Sequence, residues 1–286
     1  MSEIKNVTVV GAGTMGSQIA LQTALAGRYH VTLVDAVPGQ LDRARAQNRR
    51  LVDRSVEKGR LTKEQAGEAL GRIADSDDLE AAARGADLVI EAVIEDYDTK
   101  KSVFTALGKA ARKDAILASN SSTIAISRLA DLTGNPARCC NMHFFHPVTV
   151  MQLCEVVKGP KTSDATVATA TEFVRSIDRT PVVLNKEIWG FIVNRILFAA
   201  SEEAMHLLEG GYASAEDIDT AVQKGLNWPM GPFHLLDFSG LDIFYGAMKD
   251  RHRQGEGGDA PEVLRKLVED GNLGRKTGKG FFDYPK

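Results

Sequence analysis

Cysteine is scarce: only Cys139, Cys140 and Cys154 occur in 286 residues. Their odd number and their spacing fit neither a disulfide framework nor a zinc site, so a reducing compartment and no metal centre are expected. A basic excess is also missing. Thirty-five Lys and Arg stand against 38 Asp and Glu, which argues against a nucleic-acid partner. The opening MSEIKNVTVV has no apolar core beside a charged flank, so no export is implied and a cytoplasmic protein is expected. The most apolar helical stretch, GFIVNRILFAASEEAMHLL, is broken by Asn194, Arg195, Glu202 and Glu203. It reads as a buried amphipathic helix and not as a membrane span. No internal repeat or low-complexity tract is found, and RQGEGGDAP is the one flexible-looking stretch.

What is present alternates between strands and helices. NVTVV, VTLVD, DLVIEAV and AILASN read as strands, and the last two are continuous apolar runs of the kind buried on both faces of a parallel sheet. CNMHFF and VMQLCEVV read as two further strands joined by a short turn, and TPVVLN as a last strand. Helices are expected over residues 37–58, from Thr62 (with TKEQ as a capping box) and over 164–178. Beyond residue 188 the pattern is helix after helix: 190–209, 214–224 (with SAED as a second capping box), 231–249 and 261–270. The expected fold is therefore an α/β Rossmann-type domain with a mostly parallel sheet, residues 1–186, followed by an all-α domain, residues 187–286.

GAGTMG, residues 11–16, fits G-x-G-x-x-G in the right setting: a strand before it, a helix after it, and a second strand ending in an acid. Gly11 permits the tight turn, Gly13 lets the backbone approach a pyrophosphate, and Gly16 lets the helix pack on the strand. Thr14 and Met15 complete the loop, whose helix N-terminus presents free N–H groups. Asp35 is placed to bind the adenosine ribose hydroxyls. Its charge repels a 2′-phosphate and Ala36-Val37 provide no arginine, so NAD is favoured over NADP. FAD sites share the fingerprint, and a glycine turn without ligand has the same spelling.

The stretch MHFFHPVTVMQLCEVV poses a separate question, because Glu155 lies among Leu153, Cys154, Val156 and Val157. A buried charge is costly unless paired. If the two strands form a hairpin centred near Thr149, His143 and Glu155 lie six residues from it on either side and face each other. A carboxylate on one imidazole nitrogen fixes the tautomer and leaves the other nitrogen free to take a hydroxyl proton. Beside a nicotinamide, that is alcohol–ketone chemistry. A structural His–Glu pair in a core is the alternative.

The order of VVGAGTMGSQIA, DLVIEAVIED, ILASNSSTI, HFFHPVTVMQLCEVV, GFIVNRIL, NWPMGPFHLLDFSGLD and GRKTGKGFFDY resembles the L-3-hydroxyacyl-CoA dehydrogenase family over the whole length, its short bacterial members in particular. The resemblance implies NAD as cofactor, an acyl-CoA partner of short chain such as 3-hydroxybutyryl-CoA, and a homodimer. It implies His143 as the catalytic base, Glu155 as its carboxylate, and Ser122 and Asn194 on the substrate oxygen. It further implies Glu95, Lys100 and Lys276 near the cofactor, and Arg54 and Lys58 near the CoA phosphates. Ser122 as a turn residue, Asn194 satisfied within its helix, and Arg54 and Lys58 on a solvated face are the plain alternatives. Two departures stand out: His146 where the family has Asn, and Trp189 where it has Pro before Gly190-Phe191. Relatives acting on small free hydroxy acids (L-gulonate or carnitine type) and NAD-binding crystallins share these motifs, and so remain alternative readings.

Overall fold

The computed structural model describes residues 3–285. The chain divides into two compact units, Met1–Phe191 and Ile192–Lys286. The first is a sheet wrapped by helices, and the second is mostly helical with a non-helical C-terminal tail that carries two isolated bridges.

In the first unit, strand β1 (Asn6–Val10) leads into helix α1 (Thr14–Leu25), and β2 (His30–Val34) returns parallel to β1. Gly27, at φ +77, ends α1 in the left-handed conformation that favours glycine. Helix α2 (Gln40–Glu57) starts three residues later than expected, after Gly39 at φ +74. Helix α3 (Lys63–Gly71) carries the expected capping box, in which Thr62 and Gln65 satisfy each other's backbone N–H. Strand β3 (Ile73–Ser76) was not expected from the sequence. It is short and polar, and only its pairing with β2 makes it a strand. Helices α4 (Leu79–Gly85) and α5 (Tyr97–Ala110) likewise went unnoticed, although Asp78 and Asp96 cap them through Ala81 and Thr99 N–H. Strands β4 (Leu88–Glu91) and β5 (Ile116–Ser119) are fully buried parallel strands. The short helix α6 (Ser127–Ala130), β6 (Cys139–Phe144), β7 (Leu153–Val157), α7 (Asp164–Ser176) and β8 (Thr180–Leu184) complete the unit.

The eight strands run in the order β3-β2-β1-β4-β5-β6-β7-β8. All neighbours are parallel except β6 and β7. The chain winds outward from β1 in one direction and from β4 in the other. A crevice therefore opens outside the carboxyl ends of β1 and β4, where such sheets bind ligands. One hydrophobic cluster joins β1, β2 and α1 to β6, β7 and α7.

The second unit contains α8 (Val193–Glu209), α9 (Ala215–Leu226), α10 (Pro232–Ser239), α11 (Leu241–Arg253) and α12 (Glu262–Glu269). Helix α8 begins at 193 and not at 190, because Gly190 and Phe191 hold φ of +72 and +53. The single helix expected over 231–249 is two, broken at Gly240 with φ +100. Ser214 caps α9 by accepting from Asp217 N–H, but the box is not reciprocal. The Asp217 carboxylate instead accepts the Ser214 hydroxyl. Buried Asp237 accepts from the N–H groups of Phe281 and Phe282 and from the Tyr284 hydroxyl, each at 3.0 Å, which pins the C-terminal tail. Among the described residues no helix is long and apolar enough to cross a membrane.

Candidate active site

The glycine loop has the form a dinucleotide needs. A Cβ on Gly11 would lie 2.6 Å from the Ala92 carbonyl, and one on Gly16 would lie 1.8 Å from the Gly11 carbonyl. A Cβ on Gly13 would meet nothing within 4 Å, so this is the face left open for a pyrophosphate. No side chain caps α1 and no acid occupies its first turn, which leaves its N–H groups available to an anion. Asp35 is held across the loop mouth, its two oxygens accepting from Ala12 N–H at 2.7 Å and Val37 N–H at 2.8 Å. The open Gly13 face and the uncapped helix N-terminus fit the pyrophosphate of NAD.

Across the crevice lies a network that the sequence reading did not find. Glu91 ends β4 fully buried, and Lys100 on α5 is 1% exposed. Their charges meet at 2.7 Å, and the second Glu91 oxygen accepts the Ser119 hydroxyl at 2.7 Å. Lys100 also lies 3.2 Å from Glu95. Glu95 gathers the loop after β5: one oxygen accepts from the Ser121 hydroxyl, from Ser122 and Thr123 N–H at 3.1 Å, and from the Thr123 hydroxyl at 2.9 Å. Burial pushes the Glu95 carboxyl up, but Lys100 and these donors outweigh it and hold the group below its ordinary value. Lys100 is buried between Glu91 and Glu95, and its ammonium also donates to the Val93 carbonyl at 3.4 Å. Ser122 itself is half-buried, and among the described residues its hydroxyl has no partner.

Strands β6 and β7 pair so that His143 stands opposite Glu155, the register that symmetry about Thr149 implies. His143 Nδ1 lies 2.8 Å from Glu155 Oε2, with Glu155 fully buried and His143 6% exposed. The Phe145 and Phe191 rings lie 4.5 and 5.6 Å from the imidazole. They confine it to one orientation. Phe191 holds its unfavourable positive φ while buried against Val157 and Leu184. The loops around the histidine are tied by two asparagines. Asn120 accepts from Phe144 N–H at 2.9 Å, and Asn141 bridges Ile124 and Ile126. His146 is exposed on the turn, and Trp189 is buried at 6%.

Arg54 and Lys58, at the end of α2, are exposed and without an ion pair among the described residues. With Arg60, Arg179, Thr149 and Gln152 they line a cavity of about 690 Å³, whose lining includes one carboxylate, Asp178. Lys276 is paired with Asp242 at 2.5 Å in the helical unit, and Asn194 stands half-buried in the first turn of α8.

A dinucleotide loop and an oriented imidazole on one sheet define a dehydrogenase acting on a hydroxyl or carbonyl. The chain belongs to the 3-hydroxyacyl-CoA dehydrogenase family: residues 6–188 match the model of its NAD binding domain and residues 190–284 that of its C-terminal domain. It is 41% identical over 279 residues to a probable 3-hydroxybutyryl-CoA dehydrogenase of Deinococcus radiodurans, covering 96% of this chain and 99% of the relative. It is 38% identical to the human mitochondrial hydroxyacyl-coenzyme A dehydrogenase, covering 98% and 91%. The solved (S)-3-hydroxybutyryl-CoA dehydrogenase of Ralstonia eutropha is 36% identical and superposes with a TM-score of 0.94, covering 99% of this chain and all of the other.

Proposed function

We propose that this protein oxidises a short L-3-hydroxyacyl-CoA, 3-hydroxybutyryl-CoA foremost, to the 3-ketoacyl-CoA with NAD, reversibly. The observation that carries the reading is the buried His143–Glu155 pair on the sheet that holds the dinucleotide loop. NAD, when bound, supplies the acceptor for the hydride leaving C3. His143 Nε2 takes the proton of the C3 hydroxyl, and Glu155 stabilises the imidazolium that forms. In the reverse direction His143 returns that proton to the carbonyl oxygen. Ser122 donates its unpartnered hydroxyl to the same oxygen, a role the family resemblance also assigns to Asn194. Gly11, Gly13, Thr14, Met15 and Gly16 hold the pyrophosphate, Asp35 the adenosine ribose, and Glu95 and Lys276 the rest of the cofactor's surroundings. The cationic cavity at Arg54 and Lys58 fits the phosphates of CoA.

The first unit carries the NAD loop, the base and the CoA cations, and the second contributes further substrate contacts, Asn194 among them, and forms a homodimer in the cytoplasm. Exposed Leu226, Phe238 and Ile243, each more than 60% accessible, support an oligomer formed through the helical unit.

The test is oxidation of NADH by acetoacetyl-CoA, followed by absorbance, with NADPH as comparison and His143→Ala alongside. Turnover with NADH is expected, falling about 10²–10⁴-fold in the mutant. Tight NADH binding without turnover on any short acyl-CoA would overturn the reading. It would point to a free hydroxy acid if one is turned over, or to a non-catalytic NAD-binding protein if none is.

A further inference from the structure

Two glutamines sit where apolar residues would pack equally well. Gln18 and Gln22 are 3% and 7% exposed, among Ile19, Ala20, Leu21 and Ala24 on α1. They are four residues apart and so share one stripe of the helix. A buried amide is costly unless its hydrogen bonds are made. The partners lie in the turn between β6 and β7. Gln18 Oε1 accepts from Val148 N–H at 2.8 Å, and Arg179 Nε donates to the Val148 carbonyl at 2.9 Å. Arg179 also donates to Gln22 Oε1 at 2.6 Å, while Gln22 Nε2 donates to the Ile177 carbonyl at 2.8 Å. Val148 is fully buried, and both of its backbone polar groups are thus satisfied by side chains, one from α1 and one from the residue before β8.

We propose that Gln18, Gln22 and Arg179 are positioning residues that lock the His143–Glu155 turn to the dinucleotide-binding helix. The inference rests on the function proposed above. Helix α1 presents its first turn to the pyrophosphate, and Gln18 lies one turn further along. Val148 lies five residues beyond His143. The lock therefore sets the distance between the bound cofactor and the base more directly than the sheet does, since β1 and β6 are separated by β4 and β5. A displacement of about 1 Å at such a site costs on the order of 100-fold in rate.

The experiment compares Gln18→Met, which keeps length and loses the acceptor, with Gln18→Glu, which keeps the acceptor. In Gln18→Glu the Arg179 guanidinium on the neighbouring carbonyl offsets the new charge. Amide hydrogen exchange at Val148 is measured in the cofactor-free protein. Turnover, KM for NADH and the isotope effect of deuterium at the transferred position are measured with acetoacetyl-CoA. In Gln18→Met, Val148 exchange should rise about tenfold and kcat should fall about 10–100-fold. KM for NADH should stay within about twofold, since the glycine loop is untouched, and the isotope effect should grow. Gln18→Glu should restore protection and most of kcat. Faster exchange with unchanged kcat and isotope effect would overturn the positioning role, leaving plain packing. Unchanged exchange would overturn the lock itself. A wild-type protein without turnover would refute the proposed function alone, with Val148 exchange still deciding the lock.

Discussion

Glu91 and Glu155 are both fully buried carboxylates on apolar strands, yet their partners differ in kind. Glu155 holds an imidazole, whose second nitrogen lies outside the pair. Glu91 holds an ammonium that is sealed in with it and also lies against Glu95, while the Ser119 hydroxyl donates to the second Glu91 oxygen. Burial raises the strength of both interactions by lowering the local dielectric. Beside an imidazole, that strength orients a proton acceptor. Beside an ammonium sealed in the core, it makes a fixed strut. The same environment thus serves chemistry in one place and architecture in the other.

Three changes would break or sharpen this contrast. The largest effect on turnover is expected for Glu155→Gln. It keeps the shape but removes the charge that stabilises the imidazolium, and kcat should fall by about 10²-fold or more. The pH–rate profile should change, while the thermal midpoint moves little. A profile identical to wild type would place Glu155 with Glu91 as a strut. Next comes Glu91→Gln, which leaves the buried Lys100 ammonium with the more exposed Glu95 as its remaining counter-charge. A loss of about 3–5 kcal/mol is expected in denaturant unfolding, with the pH–rate profile of the surviving enzyme unchanged. An altered profile would dissolve the distinction between the two carboxylates.

The smallest effect concerns Glu95, whose folded-state carboxyl lies below its ordinary value of 4.5. A depressed carboxyl contributes stability that is present above that value and lost as pH falls through the folded one. Thermal midpoints should show Glu95→Gln below wild type at pH 7, with the gap closing as the solution is acidified below 4.5. A gap independent of pH would mean that the charge of Glu95 contributes nothing to holding the Ser122 loop.

The rule that drew attention to Glu155, a charge inside an apolar run, applies equally to Glu91 in DLVIEAV. Glu91 is not legible in the sequence because its partner is not opposite it on a neighbouring strand. Lys100 comes from the following helix, and no period or symmetry in the sequence joins the two. Strand β3 escaped because its residues have little strand character of their own, and the helix over 231–249 was read through Gly240 because glycine only weakens a periodic pattern.

Local physics therefore determined much of this protein in advance. Glycine spacing, continuous apolar strands and the symmetry of one hairpin are each set by residues close along the chain, so they specified most of the strands, the phosphate loop and the His143–Glu155 register. Tertiary structure decided which charges are sealed away, which side chains satisfy Val148, and how Glu95 gathers the Ser122 loop. Those contacts join residues 9 to 130 positions apart. Over such separations a partner is chosen by the packing of whole elements, and the neighbouring residues carry no trace of the choice.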